Sequence, residues 1–240
     1  IVYSPIPPEH VGGAAPGFWE HMVSKYGDLP GVIAWHMQGG PDASLVRIET
    51  FKHQQEQMAR IDTYHPTVTR LSVPSLLSTY APWCDIVAVE SQPIPAMAAD
   101  VVVADVETAR NAARPGQPVW AVIQSVGRAW LGRGGGLEKG ASGRPPTGAE
   151  HRAMTLLAVA HGAQGLLHHG YYFGATKDRE EYLVSRDATD LWEGMKATNA
   201  VIERLADALA AGTYRGAKVS GPLHVGAWEY DGRLFVLRKG

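Results

Sequence analysis

Glu90 is the carboxylate whose setting in the sequence best suits chemistry. It closes the apolar run "DIVAVES" (85–91), and the polar pair Ser91-Gln92 and the turn-forming "PIP" follow at once. A carboxylate at the end of a buried strand can give a proton to, or take one from, a group bound at that end. Asp42, in "GGPDAS", has the residue type and setting of a helix cap, with a polar contact to a ligand as its second role. Glu229 and Asp231 lie in an alternating segment near the end of the chain and read as solvated.

The ten histidines test whether a metal carries the chemistry. Neither His-x-His nor His-Glu-x-x-His occurs, so no metal site is expected, and no cofactor is implied. His168 and His169 are adjacent in the strand-like "GLLHHGYY", so they must point to opposite faces, and only one can reach a given site. That one either hydrogen-bonds a ligand hydroxyl or serves as a core histidine. The single cysteine, Cys84, excludes an internal disulfide framework and reads as a core thiol. Trp130 sits in "GRAWLGRGGGLEKGASGRPP" (127–146), a long glycine-rich loop of the kind that carries function. The loop lacks Gly-Lys-Ser/Thr and is not a phosphate-binding loop.

These residues need a scaffold, and the composition supplies one. With 240 residues, 45% apolar and 19% charged, the chain can bury a substantial core. A formal net charge of −2 gives no basic field for nucleic acid. No apolar run reaches the roughly 18 residues that span a bilayer, so no membrane partner is expected. Apolar runs at 1–7, 31–38, 67–73, 85–91, 118–125 and 165–172 read as strands, with helices between them at 17–26, 43–61, 97–113, 148–161 and 187–211. Continuously apolar strands separated by helices imply a parallel sheet covered on both faces. Thr147 and Glu150 form a capping box ahead of the helix at 148, and Gly212 ends the last helix.

A closed barrel suits this pattern better than an open sheet. No strand is followed by G-x-G-x-x-G, and the longest polar loops follow strand C-termini, where a (β/α)₈ barrel builds its site. Only six strands are legible, so the expectation is a partial barrel, about strands 3–8, over residues 1–213. From 214 to 240 the pattern changes to alternating strands around Asp231-Gly232, a hairpin signal, expected to begin an all-β sandwich domain. A chain that starts on "IVYSPIP" without Met and stops in "GRLFVLRKG" reads as a piece of a longer protein. Its location is undetermined: extracellular or periplasmic with an export signal upstream, otherwise cytoplasmic.

Several stretches, "LPGVIAWHMQGGPD", "IDTYHPTV", "DIVAVESQPIP", "PVWAVIQSVG", "RPPTGAEHRAMTLLAVAHGAQGLLHHGYY" and "LWEGMKATNAVIERLADAL", resemble the later part of glycoside-hydrolase-like (β/α)₈ barrels of bacterial polysaccharide-degrading proteins. The resemblance spans about residues 25–240 and implies that the strand at 31–38 is the fourth of eight. It implies hydrolysis of O-glycosidic bonds in a carbohydrate partner, with Trp-x-x-x-Asp-Glu-Pro closing the fourth strand and a nucleophile on the seventh. Here Trp35 and Pro41 match, but Gly39 and Gly40 replace the acid pair, and Gln124 stands at the seventh strand. Glycosidic cleavage uses two carboxyl groups about 5–5.5 Å apart for retention or about 6.5–9.5 Å for inversion. Glycine and glutamine supply neither. Glu90 is then the candidate catalytic residue, where relatives have Asp. His36, Gln38, Asp42, Gln92, Gln124, Trp130, His169 and Tyr171 are the candidate sugar contacts, because pyranose rings stack on aromatic faces while polar groups read their hydroxyls. Trp35, Trp120 and Tyr172 are further candidates for stacking, and Trp120 reads first as core. Two outcomes stay open: a glycosidase relying on Glu90 and an acid outside this sequence, or a non-catalytic sugar-binding or structural barrel.

Overall fold

The structure is a computed structural model that describes residues 2–3, 17–127, 143–173 and 181–239. The chain divides into two compact units, residues 1–89 with 108–119, and residues 90–107 with 120–240. Its elements are β1 (Val2–Tyr3), α1 (Phe18–Tyr26), β2 (Ala34–Gly39), α2 (Ile48–Ile61), β3 (Thr67–Leu71), the short α3 (Leu77–Tyr80), β4 (Ile86–Ser91), α4 (Val101–Ala112) and β5 (Val119–Gln124). There follow α5 (Gly148–Ala160), β6 (Gly165–His169), β7 (Tyr172–Phe173), β8 (Tyr182–Leu183), α6 (Val184–Asp187), α7 (Thr189–Glu203), α8 (Ala206–Ala211) and the strands β9 (Thr213–Ser220), β10 (Leu223–Tyr230) and β11 (Arg233–Lys239). The main sheet has the order β1-β2-β3-β4-β5-β6, with parallel register at β1–β2, β2–β3, β3–β4 and β5–β6.

In the first unit, β2 alternates its side chains across the sheet. Trp35 and Met37 point to the helical layer, where they pack with Met58 of α2 and against Trp19, Val23 and Tyr26 of α1. The buried positions of α2, Phe51, Gln55 and Met58, recur at four- and three-residue steps and form the stripe that covers the sheet. Asp62 closes that layer from below. Its Oδ2 accepts the Trp35 indole N–H at 2.7 Å and the His65 Nδ1 at 2.8 Å, and its Oδ1 accepts the Tyr64 and His65 backbone N–H groups at 2.8 and 3.0 Å. Burial alone would raise this carboxyl, but the bonds from His65, Trp35 and Tyr64 bring it down to about 2.

In the second unit α5 is the central element. The predicted capping box is present: Thr147 Oγ1 accepts from Glu150 N at 3.2 Å, and Glu150 Oε2 accepts from Thr147 N at 2.8 Å. Arg144 adds a bidentate pair to Glu150 at 2.7 Å for each bond. Leu156, Val159 and Ala160 on α5 pack under Trp228 and Leu237 of the antiparallel sheet β11-β10-β9. Two glycines set how closely α5 and α7 approach. A Cβ added at Gly194 would lie 2.4 Å from Gly148 Cα, so the two backbones touch.

The structure moves several predicted boundaries. The helix expected over 43–61 starts only at Ile48, because Pro41–Leu45 turns and Leu45 takes φ 52°. The helix expected over 187–211 is two pieces, α7 and α8, preceded by the short α6. Its apolar stripe serves two clusters: Leu191 and Met195 pack with Val126, Tyr182 and Val184, whereas Leu205 and Leu209 join the cluster under Trp228. The C-terminal segment holds three strands where two were expected, with Thr213–Ser220 paired antiparallel to β10. Asp231 and Gly232, at φ 49° and 67°, make the predicted hairpin turn. Of the strand expected over 1–7, only Val2–Tyr3 falls within the described residues.

Two tests follow from this packing. Gly194→Ala should gain about 1 kcal/mol in helix propensity, yet it forces backbone against backbone, and overpacking typically costs about 1–3 kcal/mol. Calorimetry should show a lower thermal midpoint for the variant. The second test concerns His151, fully buried on α5, whose ring is lowered to about 3 by burial and by the neighbouring His168. A histidine depressed in the folded state contributes stability above its unfolded value of about 6.5 that is lost as pH falls, since only the unfolded chain then takes up the proton. Between pH 7 and 5, above the range in which Asp62 titrates, the thermal midpoint should fall, and His151→Gln should flatten that slope.

Candidate functional site

Glu90, Gln92 and His169 meet at the C-terminal ends of β4 and β6. Along β4 the side chains alternate, so Glu90 faces opposite to Val89 and Ser91. Ser91 is buried, and the carboxyl of Asp105 on α4 is raised, chiefly by burial. Gln92 carries its carboxamide back to Glu90 Oε1 and to His169 Nδ1. His169 Nδ1 lies 3.0 Å from the same Glu90 oxygen, with the two side chains 18% and 8% exposed.

Three polar atoms at such close range allow one consistent assignment. The carboxylate oxygen accepts, and both the Gln92 N–H and the His169 Nδ1–H donate to it, each using one of its lone-pair directions. The two nitrogens are then close because they converge on one oxygen. This fixes the tautomer of His169, with the proton on Nδ1 and Nε2 as the other ring position. The His169 main chain is held as well, because its carbonyl accepts from Ser125 N at 3.1 Å and from Ser125 Oγ at 2.5 Å. Its neighbour His168 points the other way, as strand geometry requires, and meets His151 Nε2 at 3.1 Å through its own Nδ1. Burial lowers His168, an effect that a hydrogen bond to Asn199 partly offsets.

Gln124 is fully buried and acts on the backbone. Its Oε1 accepts Ile94 N at 2.9 Å, and its Nε2 donates to Ile94 O at 2.8 Å and to Val126 O at 3.0 Å. The amide thus holds the chain that leaves β4 against the chain that leaves β5. Tyr171, 51% exposed, stands two residues beyond His169, and its ring centroid is 5.6 Å from that of Trp192. Trp120 lies over Gly165, where an added Cβ would meet its indole at 2.5 Å, so the missing side chain is what seats the ring. Trp130 falls in 128–142, outside the described residues, and the Gln38 side chain is likewise outside them.

The remaining predicted positions belong to the first unit. His36 is half-buried on β2, on the face opposite Trp35 and Met37. Gly39 is paired with Arg70 of β3, and a Cβ added there would lie 2.6 Å from Arg70 Nη2. The guanidinium therefore occupies the space that a side chain at 39 would need. Gly40 takes φ 67° and donates its N–H to Arg70 O at 2.9 Å. Asp42, with no exposure, accepts Ser72 N at 2.7 Å and Val73 N at 2.6 Å through Oδ2. It ties down the exit of β3 and caps no helix of its own segment, a correction to the sequence reading, since α2 begins six residues later. Arg70 was missed in the sequence reading, although a lone arginine in the otherwise apolar "TVTRLSV" was the signal. Cys84 is buried, and burial pushes its thiol up to about 12, which keeps it an unreactive core thiol. Among the described residues no group of three His, Cys, Asp or Glu side chains is arranged to hold a metal ion. No described helix is long and apolar enough to cross a membrane.

Solved structures of glycoside hydrolases share this architecture. The β-galactosidase of the psychrophilic Marinomonas ef1 matches with a TM-score of 0.58 and 12% identity over 81% of this chain and 44% of that one. A cyclomaltodextrinase matches at 0.53 and 11% identity over 92% of this chain and 38% of its own length. The β-galactosidase of Bacillus circulans sp. alkalophilus matches at 0.52 and 17% identity over 69% and 24%. The chain thus spans less than half the length of each of these enzymes. No protein-family model and no curated protein matches the sequence. The fold is α/β, a partial (β/α)₈ barrel similar to that of these enzymes, followed by an antiparallel three-stranded sheet.

The glycine pair yields a stability test. A residue other than glycine in the left-handed region costs about 1–3 kcal/mol, so Gly40→Ala should lower the thermal midpoint distinctly. Gly39→Ala meets only the mobile end of Arg70 and should cost less, because the guanidinium can swing aside.

Proposed function

We propose that this protein recognises a carbohydrate through the strand-end group centred on Glu90, Gln92 and His169, and that it does not hydrolyse glycosidic bonds at the positions its fold relatives use. The convergence of two donors on Glu90 Oε1 carries the reading, because it pre-sets the His169 ring while leaving that residue more exposed than Glu90. Tyr171 supplies an exposed ring two residues away, suited to stacking on a pyranose. His36, Gln38 and Trp130 remain proposed contacts. Gln124 supports the site by holding the chain that leaves β4, since its hydrogen bonds run to main-chain groups of Ile94 and Val126, whereas those of Asp42 run to main-chain groups of the first unit. The fold neighbours, two β-galactosidases and a cyclomaltodextrinase, make a saccharide the first ligand class to test.

Hydrolysis is the second reading, and Glu90 is the observation that favours it. It is a largely buried carboxylate at a strand end, and it could serve as acid or nucleophile with a partner from outside this sequence.

One experiment separates the two. The protein is titrated calorimetrically with a panel of neutral oligosaccharides and assayed on aryl glycosides beside Glu90→Gln and His169→Ala. Loss of one or two hydrogen bonds to a bound sugar is about 1–3 kcal/mol, so His169→Ala should weaken binding by about tenfold or more. Turnover should stay at the background rate in all three proteins. Robust turnover by the parent that vanishes in Glu90→Gln would establish hydrolysis at Glu90, and unchanged binding by His169→Ala would remove this group from the site.

A further inference from the structure

The first unit holds a cleft at the other end of its strands, formed by the loop from α1 to β2 and the loop from α2 to β3. Its volume is about 590 Å³, within the roughly 300–1,000 Å³ usual for small-ligand pockets. Val23, Val32 and Ile61 line it with aliphatic surface, while Asp28, Tyr64 and His65 bring polar atoms and rings. Tyr64 is 86% exposed, far more than packing requires of an aromatic residue, and its ring stands edge-on to His65 with centroids 4.8 Å apart.

The polar lining has a definite sign. Asp62 holds His65 by Nδ1, so in the singly protonated ring Nε2 is an acceptor. Asp28 is an exposed carboxylate on the rim, also an acceptor. The carboxylate of Asp62 beneath is fully engaged by four N–H donors. A ligand that suits these walls must bring donors of its own, must not be anionic, and must offer an apolar face to Tyr64 and Leu29. A neutral sugar ring has all three properties, because its hydroxyls donate and its C–H face stacks.

We propose that this cleft is a second saccharide-binding site, separate from the Glu90 group, in which Tyr64 stacks on a neutral pyranose and His65 and Asp28 accept its hydroxyls.

The Trp35 indole gives a direct reporter, since its N–H ends on Asp62 at the floor of the cleft. The full chain, labelled with ¹⁵N, is titrated with cellotetraose, maltotetraose, xylotetraose and galactotetraose, and the indole resonance is assigned through Trp35→Phe. At least one tetrasaccharide should shift it in a saturable way. Tyr64→Ala and Asp28→Asn, both exposed substitutions, should weaken that titration at least tenfold, while His169→Ala should leave it unchanged. The proposal is overturned if no tetrasaccharide moves the resonance, if Tyr64→Ala titrates like the parent, or if butylamine moves it and the sugars do not. Because the readout is local to Trp35, a failure here is distinct from a failure of binding at His169.

Discussion

The contact of α5 with its surroundings is the constraint on which the second unit depends. A helix buried along nearly its whole length cannot slide, since its neighbours take no side chain larger than glycine at Gly148, and Gly194 faces it with the same demand. At its far end Gly226 of β10 comes so close that an added Cβ would lie 2.2 Å from Ala160 O. In between, His151 reaches His168 on β6. His168 and His169 point to opposite faces of β6, so the helix meets one histidine while Glu90 and Gln92 hold the other. The helix provides packing and, through one hydrogen bond, orientation.

Polar side chains in this protein mostly hold backbone. Asp42, Asp62 and Gln124 each make two or more hydrogen bonds to main-chain groups where a strand or helix gives way to a loop. The reason is general: a loop that packs against a core must still satisfy its N–H and C=O groups, and where no ladder is at hand a side chain does so. Each of these residues carries the chemistry of a site and the hydrogen-bond count of a brace. Hydrogen-bond accounting separates the two uses more sharply than residue type.

The strands and their parallel order were legible in the sequence because continuous apolar runs leave little choice of partner, and the capping box at Thr147 placed the start of α5 within a residue. The divergence of His168 and His169 followed from period-two geometry alone. Other features were hidden because they depend on distant contacts. Nothing local in "GPDAS" says that Asp42 will bind Ser72 and Val73, thirty residues on. Gln92 stood out as a polar residue after a strand, but its junction with Glu90 and His169 depends on β6, 77 residues later in the chain. The break after α7 was hidden as well, because no glycine or proline marks Arg204-Leu205 and one apolar stripe feeds two separate clusters.

The glycines after β2 also bear on how such a chain can change. Gly40 is held by its left-handed backbone, and the room beside Gly39 is taken by a guanidinium from the next strand. A carboxylate introduced at 40 has to bend the loop, and one introduced at 39 is drawn into an ion pair with Arg70 before it can hold a proton for anything else. Placing an acid pair here therefore calls for coordinated changes on two strands, and the single substitutions along the way bring loss without reward. Such a position resists stepwise change, because each intermediate sequence is strained before the pair is complete.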